Sequence, residues 1–227
     1  MVDPPGDDDG GGVVVAVPML RRAHRVAPLL ESIVTTAPAA RVVFAVTPSD
    51  LPVVDAVRAA DAEMIMVAWS TLGDYARKIN TVYRSTTEPL ILLGADDLLF
   101  HPGWVAACRR ALAPGIGVVG TNDLGSPRVT RGEHATHSLV TRQYADQSGV
   151  IDQPGAICHE GYYHEFVDDE LVETAKARGA WAMALDAHVE HLHPNWDKAP
   201  NDSLYLAQRA RMARGRPIYL RRRRLWT

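Results

Sequence analysis

Cysteine is nearly absent from this 227-residue chain: Cys108 and Cys158 are the only two. Two thiols cannot build a disulfide framework or a cysteine-based zinc site, which fits a reducing compartment and an expectation of a cytoplasmic protein. Aromatic residues are scarce at 7%. No uninterrupted apolar run approaches the length of a membrane span, and Met1 is not followed by a signal-peptide pattern. Excess charge is also missing. Lys plus Arg number 24 against 27 for Asp plus Glu, a formal net charge of -3, so the whole-chain charge makes no case for nucleic-acid or membrane binding. Glycines do not follow the first apolar run, where a dinucleotide fingerprint would need them, which argues against a nicotinamide or flavin dehydrogenase. The His-Val-Glu-His order at 188–191 is not the His-Glu-x-x-His of a helical zinc protease.

What the chain does have is an ordinary globular composition, 47% hydrophobic and 22% charged, in a length suited to one large domain. Residues 1–12 are acidic and rich in Gly and Pro and read as a disordered tail ahead of a single domain over 13–227. From there apolar runs alternate with amphipathic stretches. Strands are expected at Val13 to Val17, Arg41 to Val46, Glu63 to Ala68, Leu90 to Leu93 and Ile116 to Val119. Val26, Leu29, Leu30, Ile33 and Val34 form the stripe of a surface helix, and further helices are expected near Val54, over Asp74 to Arg84 and over Trp104 to Leu112. This alternation means βαβ units, hence an α/β domain with a mostly parallel central sheet flanked by helices. Gly120 to Gln153 reads as strand and loop. A helix over Asp168 to Arg178 stops at Gly179, Trp181 to Val189 alternates as a strand with Trp181, Met183, Leu185, Ala187 and Val189 on one face, and Leu204 to Ala213 is helical.

Three clusters carry chemistry. Asp96 and Asp97 follow the wholly apolar Leu90 to Leu93, at the carboxyl end of a buried strand, where open α/β sheets bind ligands. Adjacent carboxylates need a counter-charge, and a divalent cation supplies one that can also hold a phosphate. Asp168, Asp169 and Glu170 open a helix, where acids are also favoured by the helix dipole alone. His188, His191 and His193 cluster at a strand end, and a His-x-His pair there can bind metal. A mixed carboxylate and imidazole site suits Mn²⁺ or Mg²⁺.

In this order and spacing the chain resembles the GT-A glycosyltransferases, closest to family 2 of the nucleotide-sugar-dependent enzymes, from Val13 to about Tyr205. Val17-Pro18 resembles the family's opening Val-Pro. Asp50 stands where the family holds the nucleotide base or ribose. Lys78-Ile79-Asn80 resembles the basic residue and Asn of its third helix, Gly94-Ala95-Asp96-Asp97 its Asp-x-Asp motif, Val167-Asp168-Asp169-Glu170-Leu171 its Glu-Asp-x-Glu-Leu helix start, and Val189-Glu190-His191 its late histidine. Gly94 replaces the first Asp of the usual motif and Val167 the usual first acid. The resemblance implies an inverting, hexosyltransferase-like enzyme whose donor is a nucleotide-diphospho-sugar, a UDP-sugar above all. Asp96 or Asp97 with His191 or His193 would hold Mn²⁺ or Mg²⁺. Pro18, Arg21, Asp50, Lys78, Asn80 and Asp96 would contact the donor, and Asp168, or Asp169 in its place, would be the base. The acceptor stays open among a glycan, a protein and a modified nucleic acid. Competing readings are a sugar-nucleotide nucleotidyltransferase, which lacks here the glycine-rich loop after the first strand, a zinc hydrolase built on His191 and His193, and a binding module using the basic run Arg221 to Arg224 on an anionic partner.

Overall fold

In the computed structural model, which describes residues 8–227, eight strands form one sheet in the order β3-β2-β1-β4-β7-β6-β8-β5. The first half is parallel: β1 (Val13–Pro18) lies between β2 (Arg41–Val46) and β4 (Leu90–Leu93), and β3 (Glu63–Met66) is at the edge. β1 and β4 are buried at every position, as parallel strands covered by helices on both faces must be. Helices α1 (Val26–Thr36), α2 (Leu51–Ala59) and α3 (Asp74–Ser85) make the crossovers. The strands follow the apolar runs of the sequence; α1 buries Val26, Leu29 and Ile33 of its expected stripe but leaves Val34 43% exposed, and α3 buries Lys78 and Asn80 beside its apolar stripe because both find polar partners inside.

The second half is mixed. β6 (Val118–Asn122) and β7 (Ser138–Thr141) run antiparallel to each other, and β7 runs antiparallel to β4. The segment expected to be strand and loop therefore also carries two short helices, α5 (Pro127–Thr130) and α6 (Arg142–Gln147), which follow α4 (Trp104–Ala111) in the chain. The three-residue strand β5 (Leu98–Phe100) has no counterpart among the sequence expectations. It pairs antiparallel with the end of β8 (Trp181–His191), Leu98 opposite His191. Three residues lie below the length at which a periodic pattern can be read.

β8 departs from simple alternation. Its register against β6 jumps from Thr121↔Ala184 to Asn122↔His188, and Asn122 Nδ2 donates to the Leu185 carbonyl at 2.9 Å. This bulge turns the strand over. Trp181 packs with one core cluster, whereas Ala184, Ala187 and Val189 belong to the other, and Leu185, expected inside, is 44% exposed. After the bulge the end of β8 is aimed at the carboxyl end of β4.

The N-terminal expectation is also revised where it can be seen. Residues 1–7 lie outside the described residues. Residues 8–12 are tied to the body: Asp8 pairs with Arg109 at 2.7 Å, Ala39 N donates to Asp9 O, and Leu90 N to Gly12 O. Gly10 has φ +85, and a Cβ there would come within 2.9 Å of Ala37 Cβ, so the turn into β1 needs glycine. Beyond β8, α8 (Ser203–Leu206) and α9 (Gln208–Arg223) close the chain. No helix among the described residues is long and apolar enough to cross a membrane.

Candidate active site

Asp96 and Asp97 occupy the short link between β4 and β5. The pairing of β5 with β8 is what brings Asp97 beside His191: Leu192 N donates to Asp97 O at 2.8 Å, and His191 Nε2 lies 3.4 Å from Asp97 Oδ1. Gly94 is required in this link. A Cβ at 94 would stand 2.7 Å from the Ala16 carbonyl, to which Gly94 N donates at 2.9 Å. The first Asp of the usual motif has no room between β4 and β1.

Both carboxylates are buried, 8% and 5% exposed, and their counter-charge is Arg22, a residue the sequence did not single out. Its Nη1 reaches Asp96 Oδ1 at 2.7 Å and Asp97 Oδ2 at 3.3 Å, its Nε reaches Asp202 Oδ2 at 2.7 Å, and its guanidinium stacks 3.9 Å from the Tyr205 ring centroid. Tyr205 donates its hydroxyl to Asp97 Oδ2 at 2.6 Å. Burial, then the neighbouring Asp97 charge, pushes Asp96 well above the usual carboxylate range in spite of Arg22. Burial acts the same way on Asp97, but His191, Tyr205 and Arg22 outweigh it and hold that carboxyl low. Burial lowers His191 and Asp97 raises it, with a net upward shift. One guanidinium therefore does not fully balance the two acids. A hard divalent cation fits this donor set of carboxylate oxygens and an imidazole.

The two histidines expected at this centre are not equivalent. His193 Nδ1 accepts the Asn195 N–H at 3.1 Å, and burial next to His191 pushes its pKa down to about 4, so the neutral ring carries its proton on Nε2 and has no lone pair for a metal. As placed, the His193 lone pair is taken up by the Asn195 N–H, which sets it apart from His191 beside Asp97. A third imidazole, unread in the sequence, packs edge-on against His191 at 5.2 Å between centroids: His137, buried, with Nδ1 on the Leu93 carbonyl at 3.0 Å and Nε2 without a partner.

The acids of α7 (Val167–Ala177) face the same space. Asp96, Asp97, His191 and His193 line one cavity of about 510 Å³ together with Asp168 and Asp169, and with Pro18, Arg21 and Lys78. Members of all three clusters thus share a single pocket, whereas Glu170 and His188 do not line it. Asp168 Oδ2 lies 3.2 Å from His134 Nε2, and Asp169 Oδ1 lies 3.1 Å from Arg128 Nη1. Burial raises Asp168, but the His134 contact prevails and holds it low, whereas burial and the Asp168 charge raise Asp169. Glu170 is structural: buried, it takes the Tyr162 hydroxyl at 2.7 Å and two bonds from Arg222. Among the described residues, the one trio of potential metal-binding atoms lying within 4.8 Å of one another is His134, Asp168 and Asp169, not a set drawn from Asp96, Asp97, His191 and His193.

Other candidates fall differently. Asn80 does not line the cavity. Its Oδ1 accepts from Ile157 N and Cys158 N, and its Nδ2 donates to Cys158 O and Glu160 Oε1, so it fastens the segment after α6 onto α3. Lys78 is fully buried and spans Met19 O and Asp74 Oδ2, both at 2.8 Å. Asp50, also off the cavity, accepts the Arg21 backbone N–H at 2.6 Å and shapes the turn after β1. Arg21 itself is exposed on the cavity rim at φ +57. Arg222, inside the basic run, turns inward onto Asp152 and Glu170, so Arg221 to Arg224 is not a uniform anion-facing strip.

The mixed, mostly parallel sheet flanked by helices is the GT-A fold. Solved structures bear this out at the level of the fold. The mannosyltransferase PcManGT from Pyrobaculum calidifontis, in complex with GDP-Man and Mn²⁺, superposes at a TM-score of 0.64 and 20% identity over 94% of this chain and 66% of its own. The glucosyl-3-phosphoglycerate synthase from Mycobacterium tuberculosis, with Mn²⁺, UDP-glucose and phosphoglyceric acid, also gives 0.64, at 15% identity over 94% of this chain and 80% of that one. No family model matches the sequence, and no curated protein does.

Proposed function

We propose that this chain is a metal-dependent, inverting glycosyltransferase that moves a sugar from a nucleotide-diphospho-sugar to an acceptor hydroxyl, with Asp168 as the base. The observation that carries the reading is the shared cavity: Asp97, His191 and Asp168 all line it, within a GT-A fold. A divalent cation on Asp97 and His191, with Asp96 adjacent, would neutralise the charge that develops on the leaving diphosphate. The two similar structures hold Mn²⁺ with GDP-Man or UDP-glucose, which supports Mn²⁺ and leaves both bases to be tried, a UDP-sugar first. Arg21 and Pro18 line the same cavity, where Arg21 would meet a phosphate and Pro18 would flank the nucleotide.

Asp168 is charged at neutral pH because its carboxyl is held low, so it can take a proton. Its Oδ2 is engaged by His134, which leaves Oδ1 for the acceptor. The acceptor oxygen gives its proton to Asp168 as it bonds to the anomeric carbon, and the bond to the diphosphate oxygen breaks with its electron pair leaving on that oxygen. A single displacement inverts the centre. Asp169, paired with Arg128, is less suited to the role.

The test combines calorimetry and turnover with UDP- and GDP-sugars, with and without Mn²⁺. Asp97→Ala is expected to lose Mn²⁺-dependent nucleotide binding. Asp168→Asn is expected to bind normally and to lose transfer by about 10²- to 10⁴-fold, the usual contribution of a general base. Nucleotide binding indifferent to Mn²⁺ in the unaltered protein, or full turnover by Asp168→Asn, would end this reading.

A further inference from the structure

His134 is 5% exposed, and its one polar contact is Nε2 to Asp168 Oδ2 at 3.2 Å. Its Nδ1 is buried without a partner. These two facts decide the tautomer. A proton on Nδ1 would bury an N–H with nothing to accept it and would set the Nε2 lone pair against a carboxylate oxygen. The proton therefore sits on Nε2 and is donated to Asp168.

The ring is held where it is by its own segment. Thr136 Oγ1 donates to Asp123 Oδ2 at 2.9 Å, His137 is anchored on Leu93 O, and Ala135 is fully buried against Gly120, where a Cβ would come within 2.6 Å of Ala135 Cβ. Glu133 N donates to Arg128 O at 2.8 Å, and Lys176 Nζ reaches Glu133 O. The link between α5 and β7 is thus bonded on both sides of residue 134. It sets one imidazole behind Asp168, outside the cavity lining, and contributes another, His137, to the lining beside His191.

We propose that His134 is a positioning residue: through Nε2–H it fixes Oδ2 of Asp168 and so directs Oδ1 at the acceptor. It rests on the reading of Asp168 as the base. No bond to His134 forms or breaks. The acceptor proton ends on Asp168, and His134 keeps its own throughout.

Two measurements test it, and the first needs no substrate. Long-range ¹H–¹⁵N correlation on uniformly labelled protein is expected to show His134 as the Nε2–H tautomer, with its ¹⁵N shifts moving in Asp168→Asn. An Nδ1–H tautomer overturns the proposal. So does preferential loss of the His134 signals on titration with Mn²⁺ alone, which would make His134, Asp168 and Asp169 a metal site. The second is kinetic, using UDP-glucose or GDP-mannose with Mn²⁺ and following release of the nucleotide diphosphate. His134→Phe is expected to lower kcat about a hundredfold, the scale of a misplaced reacting group, with donor KM unchanged. His134→Gln, whose amide N–H can stand at the Nε2 position, is expected to recover most of it. Equal losses in Phe and Gln, or a loss confined to KM, would refute positioning. Full turnover by Asp168→Asn would remove the base assignment while leaving the tautomer result standing, so the two failures are distinguishable.

Discussion

Replacing Arg22 with Met keeps the length of the side chain and removes the charge that stands between Asp96 and Asp97. In the native protein that guanidinium is within 2.7 and 3.3 Å of two buried carboxylates. Deleting one partner of a buried ion pair costs about 3–5 kcal/mol, because the remaining charge is stranded in a poor solvent. For a domain of this size each kcal/mol is worth about 2–4 °C in Tm, so Arg22→Met is expected to melt roughly 6–20 °C lower at pH 8. The loss has a definite pH dependence. Asp96 is already held above the usual carboxylate range and moves further up without Arg22, while Asp97, held low by His191 and Tyr205 as well, loses one of the groups that keep it there. The folded variant then binds protons that the unfolded chain has released, so its stability rises as pH falls through the raised folded pKa towards the ordinary carboxylate value. The deficit should narrow between pH 8 and pH 5. Millimolar Mn²⁺ at pH 8 should restore part of the lost Tm in Arg22→Met and less in the native protein, since the ion takes up the vacated counter-charge role. Differential scanning fluorimetry across pH, with and without Mn²⁺, reads all three effects. A loss below 1 kcal/mol, constant with pH and unmoved by Mn²⁺, would refute the electrostatic account of this centre.

Two further substitutions separate architecture from chemistry. Asn80→Ala removes four hydrogen bonds to the buried segment around Cys158 and is expected to cost about 2–4 kcal/mol in urea unfolding, since each stranded buried group costs about 1–3 kcal/mol, while nucleotide affinity of the folded fraction is kept; a selective loss of affinity would return Asn80 to the donor site. Gly94→Asp, which rebuilds the usual acid pair in sequence, should destabilise the protein rather than strengthen metal binding, because its Cβ meets the Ala16 carbonyl at 2.7 Å; calorimetry showing tighter Mn²⁺ binding without loss of Tm would contradict this.

Much of the first half was legible from periodicity. Val13–Pro18, Arg41–Val46 and Leu90–Leu93 are apolar runs of strand length, and α1 and α3 bury most of the apolar stripe their residues show, Val34 excepted. The second half was less so. β5 is too short to leave a pattern, and the β8 bulge reverses an alternation that the residues themselves continue without a break. Asn80 looked like a donor residue because its neighbours match a motif, yet its amide is spent on the backbone of Ile157 and Cys158 and on the Glu160 carboxylate. The basic run at the C-terminus looked uniform, yet the helix turns one arginine of it inward.

Local sequence, by itself, determined the alternation of strands and helices, the place of Asp96 and Asp97 beyond a buried strand, and the acids at the start of α7, because each depends only on neighbours along the chain. Tertiary structure alone decided which cation faces those acids, which histidine keeps a free lone pair and which imidazole holds Asp168. Those outcomes depend on Arg22, His137 and His134, which lie 74, 54 and 34 positions from Asp96, His191 and Asp168 respectively. Buried charge and hydrogen bonding act over a few ångströms of space, and only the folded sheet brings such distant positions that close.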